Sequence, residues 1–229
     1  MTTSGSIDFN LTATQIISKA FSILGVAAEG ESLSTRQYDD GLASLNLLIK
    51  TWGARPHLWT MTERSVALVE GQAAYTLTPK PMRVIEARRK VTSSGFETPL
   101  SEWSRDEYMA QPNKEAESIP VAFYYNPQTT SGTLYIWPTP SSATAADMTV
   151  KLTYLRRMDD MDSSSNDADL PQEWLQPLVW NLANDLEPEY PVNDPRLAAK
   201  IEQRATQLLA DLSSWDEEPA SLFIQPDRR

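Results

Sequence analysis

The sequence predicts an α+β fold: a platform of about four helices drawn from both chain ends, an inserted antiparallel β region, and an extended C-terminal arm. Near both ends of the 229-residue chain, apolar residues recur at steps of three and four, the spacing of an amphipathic helix. In the middle they recur closer to every second position, in short runs bounded by turn residues. Because neither helical pair can bury its apolar faces alone, the two pairs are expected to share one core.

The predicted organisation has four consecutive parts. Residues 1–58 form the N-terminal helical pair, and residues 59–158 form the inserted β region. Residues 159–215 form an acidic loop followed by the C-terminal helical pair, and residues 216–229 form the arm. These boundaries follow the points at which the apolar period changes or turn residues interrupt it.

Two capping boxes predict where the N-terminal helices begin. Thr12 with Gln15, and Ser34 with Gln37, have the three-residue spacing at which the two side chains satisfy each other's backbone donors. A glycine follows each apolar run, as is typical of helix ends: Gly25 and Gly53. The sequence therefore predicts two antiparallel helices joined by a short polar loop.

Six short segments rich in β-branched or aromatic residues predict the strands: Val66–Val69, Ala74–Leu77, Val84–Val91, Val121–Tyr125, Leu134–Trp137 and Met148–Tyr154. Three dipeptides predict hairpin turns: Glu70-Gly71, Ser94-Gly95 and Ser131-Gly132. Ser104 and Glu107 have capping-box spacing and predict one short helix over residues 104–110.

Helical spacing returns after a polar segment, residues 159–169, which is predicted to be a linker or an exposed loop. Trp174, Leu178, Leu182 and Leu186 fall four apart, and Pro177 predicts one irregular turn before the regular helix. Asp194 and Pro195 predict the start of the last helix. Its apolar face is predicted to comprise Leu197, Ile201, Ala205, Leu208 and Leu212.

The chain lacks the residue patterns that catalysis or metal binding usually requires. It has no cysteine, and its one histidine, His57, is predicted to be a loop residue with local hydrogen bonds. The aspartates of residues 159–169 lack the glycine and the terminal glutamate of a calcium loop. Glu187 and Glu189 flank a proline at a predicted helix end. The sequence therefore predicts no catalytic residue, no metal site and no cofactor, and a protein that is not an enzyme.

The charge balance bears on possible partners. Twenty basic against 31 acidic residues give a net charge of −11, which disfavours nucleic-acid binding as the main role. An acidic surface would instead let DNA pass without sticking. No apolar run approaches the roughly 20 residues of a membrane span, and the N-terminus lacks the features of a signal peptide. Neither a membrane partner nor secretion is expected.

Several stretches resemble phage head-to-tail connector proteins of the P22 tail-accessory type. Residues 11–26 resemble the opening helix of that family, and residues 43–52, with Leu45-Asn46 and then Trp52, resemble its second helix. Residues 71–77 resemble its first hairpin. Other stretches are similar in order and spacing: 120–125, 132–138, 170–171, 180–183 and 188–190. The resemblance extends over residues 11–212.

The resemblance implies a virion structural protein of the neck, made in the host cytoplasm and located at the head-tail junction. It implies a homo-oligomeric ring, a dodecamer, that docks under the portal protein, seals the packaged DNA and provides a platform for tail proteins such as the nozzle. DNA would pass through the ring without sequence-specific binding. Adaptors of this type grip the portal with C-terminal extensions, which makes the arm the expected site of portal or neighbour-subunit binding. Its expected contact residues are Leu222, Phe223, Ile224, Arg228 and Arg229.

Two alternative functions remain open from the sequence. Tyr75, Tyr124, Tyr135 and Trp137 lie in predicted strands, where packing is expected, but they could also form a platform for sugar rings. That reading gives a carbohydrate-binding or glycan-cleaving tail protein. A tubular tail protein of the T7 type shares the predicted architecture and is the other alternative.

Overall fold

The computed structural model describes residues 5–26 and 32–214. These residues form helices α1 (Ala13–Leu24), α2 (Thr35–Gly53), α3 (Arg105–Ala110), α4 (Ser142–Asp147), α5 (Leu175–Leu186) and α6 (Pro195–Ser213). The strands are β1 (Met61–Ala67), β2 (Ala74–Leu77), β3 (Arg83–Val91), β4 (Glu97–Pro99), β5 (Ser101–Glu102), β6 (Glu117–Ser118), β7 (Ala122–Pro127), β8 (Gly132–Trp137), β9 (Thr139–Pro140) and β10 (Met148–Leu155). Helices and sheets are both present, which confirms the predicted α+β class.

The chain forms two compact units. The helical unit takes in the residues before Trp59 and those from Met158 onwards, so it is built from two separate stretches of the chain. The β unit is the continuous stretch Trp59–Arg157.

Local capping chemistry sets the helix ends in the helical unit. Thr12 and Ser34 each accept a hydrogen bond from the backbone N–H three residues later and complete a capping box, as predicted. Gly25 ends α1 in the left-handed conformation at φ 71°. Asp194 caps α6, and Pro195 is its first residue. The irregular turn expected before α5 is a 3-10 turn, Gln172–Trp174.

Helix α5 is central to the packing of the helical unit, because it contacts α1, α2 and α6. The predicted face of this helix is buried: Trp174, Leu178, Leu182 and Leu186. In the connection between α5 and α6, Tyr190 packs edge-on against Phe21 of α1 at 4.9 Å between ring centroids. The Tyr190 hydroxyl donates a hydrogen bond to Asp40 of α2 over 2.6 Å. The two ends of the chain therefore share one core.

The acidic segment 159–169 is largely an exposed loop, as predicted, but it is also anchored to the helical unit. Its aspartates are mostly exposed, but Met161 is buried, and Asn46 of α2 bonds both the backbone N–H and the C=O of Met161 at 3.0 Å. The backbone of this segment also accepts hydrogen bonds from the first N–H groups of α1, at Ala13 and Thr14. Since those groups lack partners within the helix, the segment caps α1 and belongs to the helical unit.

The β unit contains two four-stranded sheets with the strand orders β1-β10-β3-β4 and β2-β8-β7-β5. Apolar residues of both sheets form one core, which includes Val84, Val150 and Leu152 from the first sheet and Leu77, Phe123 and Leu134 from the second. Along β8, buried residues alternate with half-buried ones, the pattern of a strand with one face in a core.

Three features of the β unit correct the predictions. The turn at Glu70-Gly71 is not a hairpin, and neither is the stretch 71–77, because β1 pairs with β10 whereas β2 pairs with β8. The region is not wholly antiparallel, because β5 runs parallel to β7 and β6 runs parallel to β9. Helix α4 was not predicted. The other two predicted hairpins, β3–β4 and β7–β8, are confirmed.

Candidate docking groove

The predicted contact residues of the arm, Leu222, Phe223, Ile224, Arg228 and Arg229, lie outside the described residues. Their role as a site of portal or neighbour-subunit binding therefore stays a prediction. The described part of the helical unit instead presents a second candidate for docking, which was not among the sites predicted from the sequence.

An apolar groove of about 430 Å³ lies in the helical unit between α1, α5 and the segment before α1. Six large apolar side chains line it: Phe9, Leu11, Ile23, Leu175, Val179 and Trp180. Leu175 and Val179 are buried where they meet the unit's core, but Phe9 is 63% exposed. A phenylalanine that is mostly in water leaves apolar area unburied, and further burial there would be favourable.

The polar lining of the groove carries one charge. Among the described residues, Lys19 of α1 is the only ionisable one in the lining, and Ser22, Gln172 and Gln176 supply neutral groups. Gln172 uses its side-chain amide to donate a hydrogen bond to the backbone carbonyl of Ile7, which holds the segment before α1 beside α5. No carboxylate of residues 5–26 or 32–214 lines the groove, although the chain as a whole has a net charge of −11.

The sequence contains a signal for this groove, although the predicted face of α5 did not use it. Leu175 and Val179 are four residues apart, and with Trp180 they form a second apolar strip beside the predicted one. A helix that is apolar over more than one face has more than one surface to cover. The other wall comes from α1, more than 150 residues earlier in the sequence, so no local pattern could join the two.

His57 lies in a loop, as predicted. It is buried, and its Nε2 donates a hydrogen bond to the carbonyl of Trp52 over 3.2 Å. Its ring lies edge-on against Trp174 at 4.8 Å between centroids, and Trp174 in turn lies against Trp52 at 5.5 Å. The expected local hydrogen bond is present, while the contact with Trp174 ties the end of α2 to the turn before α5. These contacts give His57 a packing role.

The carboxylates do not assemble a metal site within the described residues. No group of three or more His, Cys, Asp or Glu there could hold an ion. Asp160 pairs with Lys50 of α2, and the Asp169 carboxylate accepts from the backbone N–H of Asp159. Glu187 stands at the C-terminal cap of α5, as the prediction of a helix end requires.

The aromatic side chains of the second sheet form a covered cluster. Tyr124 and Tyr135 face each other across β7 and β8 with their rings stacked at 5.7 Å. Tyr108 of α3 lies over both rings, at 5.7 Å from Tyr124 and 5.0 Å from Tyr135. Tyr108 is only 5% exposed, and its burial raises the pKa of its hydroxyl. These rings pack against one another and do not offer an open platform to a sugar.

Trp137, the remaining strand aromatic on this face, is also packed against other residues of the unit. Its ring lies 5.2 Å from that of Trp103, and its indole N–H donates to the carbonyl of Asn113 over 2.9 Å. Tyr75 is buried in the core of the β unit. The packing predicted for the four strand aromatics is therefore what the structure has.

Among the described helices, none combines the length and the apolar character needed to cross a bilayer. No curated protein matches the sequence. A chain in a structure described as the neck of an empty GTA particle computed with C6 symmetry is 14% identical. That match covers 85% of this chain and 93% of the other, with a TM-score of 0.30.

A sequence model of the family described as SU10 adaptor protein matches residues 11–226, nearly the whole chain. The resemblance to phage head-to-tail connectors carried by α1, α2 and the later stretches is thereby confirmed. The chain belongs to the SU10 adaptor protein family and is a phage head-to-tail adaptor, a structural protein.

Proposed function

We propose that the chain is a neck protein of the virion that forms a ring beneath the portal, closes the exit for packaged DNA and provides the docking platform for tail proteins. Family membership over residues 11–226 is the observation that carries this proposal. The ring is a homo-oligomer, a dodecamer, assembled from chains made in the host cytoplasm. A family of adaptors also favours this role over that of a tubular tail protein.

The charge of the chain supports a passive channel. With 31 acidic against 20 basic residues, the surface repels the phosphate backbone, so DNA passes through the ring without sequence-specific binding. In the β unit, basic side chains of β3 and β10 are partly neutralised by neighbouring acids. Arg88 pairs with Glu86, and Lys151 pairs with Glu63 at 2.8 Å. These pairs offset the charge of two of the five basic side chains on the two strands.

Ring formation on the portal is the decisive experiment. The purified chain is mixed with the portal of its own phage, and the complex is measured by size-exclusion chromatography with light scattering and by electron microscopy. We expect a ring in register with the portal, with subunit contacts that bury more than about 2,000 Å² in total, as obligate interfaces do. A chain that stays monomeric in the presence of portal would refute the proposal.

The C-terminal arm is the proposed grip on the portal or on a neighbouring subunit. Leu222, Phe223 and Ile224 provide adjacent apolar side chains, and Arg228 and Arg229 provide charge at the end of the chain. Deletion of residues 219–229 is expected to weaken portal binding tenfold or more, about 1.4 kcal/mol. The matched control is Phe96→Ser, which removes an exposed phenylalanine from the β3–β4 turn. Equal portal affinity of the deleted and full-length chains would exclude this role of the arm.

A further inference from the structure

The groove of the helical unit is an apolar surface to which the described residues offer no cover. Phe9 is 63% exposed at its rim, and Ile7, two residues earlier, is 89% exposed. The groove is large enough, at about 430 Å³, to take several side chains. An extended segment with adjacent large apolar residues would fit such a surface better than a single side chain would.

The chain has one such segment outside the described residues. Residues 219–229 contain Leu222, Phe223 and Ile224 in succession, preceded by the acidic run Asp216, Glu217 and Glu218. The acidic run complements the groove, where Lys19 is the one charged lining residue in the part of the chain that the structure describes. A carboxylate near Lys19 gains an attractive interaction there, and no acid among the described lining residues competes with it.

The path of the chain brings this segment to the groove of its own molecule. The short connection 187–194 folds α6 back antiparallel along α5, and Asn181 of α5 bonds the carbonyl of Ala205 at 3.2 Å. Ser214 lies nine residues beyond Ala205, which at about 1.5 Å per residue carries the end of α6 back past the start of α5. Leu175 and Gln176, which line the groove, stand at that same end of α5.

The connection from Ser214 to Leu222 is long enough for docking within one molecule. Seven intervening residues reach roughly 23–25 Å when extended, against a helix diameter of about 10–12 Å. The segment can therefore pass around α5 and enter the groove from the end at which α6 finishes. A short tether also holds the segment at an effective concentration of about a millimolar, so even a weak affinity keeps it bound in its own groove.

We infer that in the free chain the C-terminal segment docks in the groove of the same molecule, with Leu222, Phe223 and Ile224 against its apolar lining and the acidic run beside Lys19. The groove thus holds the segment that, in the proposed function, binds the portal or a neighbouring subunit. It also buries the apolar triplet while no partner is present. The inference concerns the free chain and does not depend on the portal, so the two proposals can fail separately.

Disulfide trapping in the full-length chain tests the inference, because the natural sequence has no cysteine to interfere. Ser22, exposed at the groove, and Ser221, beside the apolar triplet, are replaced by cysteine in one variant. The control pairs Ser221→Cys with Thr51→Cys, an equally exposed position on α2 that does not line the groove. At low protein concentration, we expect the groove pair to form an intramolecular disulfide about tenfold faster than the control pair.

Substitutions then show whether the proposed contacts cause the difference. Phe9→Ser and Lys19→Glu change exposed groove residues and are not expected to disturb the fold, which circular dichroism checks. Each is expected to slow trapping several-fold, as is serine at all three of Leu222, Phe223 and Ile224. Phe96→Ser, which removes an exposed phenylalanine from the β unit, is the matched control and should leave the rate unchanged.

Three results would overturn the inference. Equal trapping rates for the groove pair and the control pair would mean that the segment does not favour the groove. Disulfide-linked dimers as the main product would make a second copy the occupant. Trapping that is insensitive to both the groove substitutions and the triplet substitution would show that proximity alone, and not docking, brings the cysteines together.

Discussion

The helical unit and the β unit differ in how far their apolar surfaces are covered. In the β unit, the aromatic face of the second sheet is covered from within, because Tyr108 of α3 lies over Tyr124 and Tyr135. In the helical unit, the described residues leave the strip of α5 beside α1 as an open groove with Phe9 at its rim. The β unit, whose aromatic surface is covered, is suited to a structural role. The helical unit, with its apolar groove, is suited to bind an apolar segment.

The two units also differ in how the chain builds them. The β unit is one continuous stretch, Trp59–Arg157, whereas the helical unit joins the two ends of the chain. Its core forms only when α5 meets α1 and α2, and the loss of entropy on closing so long a loop must be recovered by that contact. The β unit is therefore expected to survive changes that the helical unit does not.

Truncation after residue 168 is expected to have the largest effect. It removes α5 and α6, and thereby uncovers Ile16, Ile17 and Phe21, each fully buried in the intact chain. We expect α1 and α2 to lose protection from hydrogen exchange and the helical signal in circular dichroism to collapse, because two short helices cannot bury these faces alone. Amides of β3 and β10 should stay protected and serve as the internal control.

Limited proteolysis can contradict the prediction that the N-terminal helices depend on the C-terminal ones. A stable, independently folded fragment of about residues 1–60 would show that the N-terminal pair does not need the C-terminal one.

Gly41→Ala should give the next largest effect, confined to the helical unit. A Cβ at Gly41 of α2 would lie 2.6 Å from Cγ2 of Ile17 and 3.2 Å from the ring of Phe21, both on α1. Overpacking of this kind costs about 1–3 kcal/mol. Gly53→Ala, in the same helix, is the control, because its Cβ would meet Met158 at an ordinary 3.6 Å. Denaturant unfolding measures both, and equal losses of stability would contradict the close approach of α1 and α2.

Gly132→Ala is the corresponding test in the β unit and is expected to cost less. The new Cβ would clash with the Tyr125 hydroxyl, which donates a hydrogen bond to the carbonyl of Pro81 over 2.6 Å. Because this ring is only partly buried, it can move aside, at the loss of a bond worth about 1 kcal/mol. Burial now raises the pKa of Tyr125 to about 12, and the displaced ring should titrate closer to the ordinary tyrosine value. An unchanged titration would mean that the ring had not moved.

The parts of the fold that local chemistry determines could be predicted from the sequence. Thr12, Ser34, Ser104 and Asp194 cap helices as expected, because a cap needs only residues within one turn. Partners across the sheets could not be predicted, because β1 meets a strand that follows more than eighty residues later. Strands of two residues, such as β5 and β6, carry too little pattern to be recognised.

The candidate sites show the same difference between features set by neighbouring residues and features set by residues distant in the sequence. The apolar triplet of the arm is a contiguous run and is visible in the sequence, although it lies outside the described residues. The groove joins Phe9 and Lys19 to Leu175 and Trp180, which are brought together only by the packing of α1 on α5. The buried face predicted for α5 was correct. The adjacent apolar strip of α5 lines the groove only because α1 packs beside it, and no local apolar period specifies that packing.

The smallest predicted effect concerns the helix that covers the aromatic cluster. Glu107 accepts a hydrogen bond from the backbone N–H of Ser104 over 2.7 Å and returns one from its own N–H to the Ser104 hydroxyl. The backbone hydrogen bond from Ser104, and then the side-chain one, lower the pKa of Glu107 below the ordinary glutamate value. Because the pKa of Glu107 is lower in the folded state, the ionised cap contributes its full stabilisation of α3 when the pH is above the ordinary glutamate pKa. This contribution is lost as the pH falls through the lowered pKa of the folded state.

Acid should therefore loosen α3 before it unfolds the sheets beneath. We expect amide exchange in α3 to speed up several-fold relative to β7 and β8 as Glu107 becomes protonated, because one cap hydrogen bond is weakened while the stacked tyrosines stay in place. NMR titration of the Glu107 carboxyl gives its pKa directly. Glu107→Gln keeps an oxygen acceptor but cannot titrate over this range, so its α3 exchange should show no such step. A Glu107 carboxyl that titrates at the ordinary glutamate value would remove the basis for this difference between α3 and the sheet that it covers.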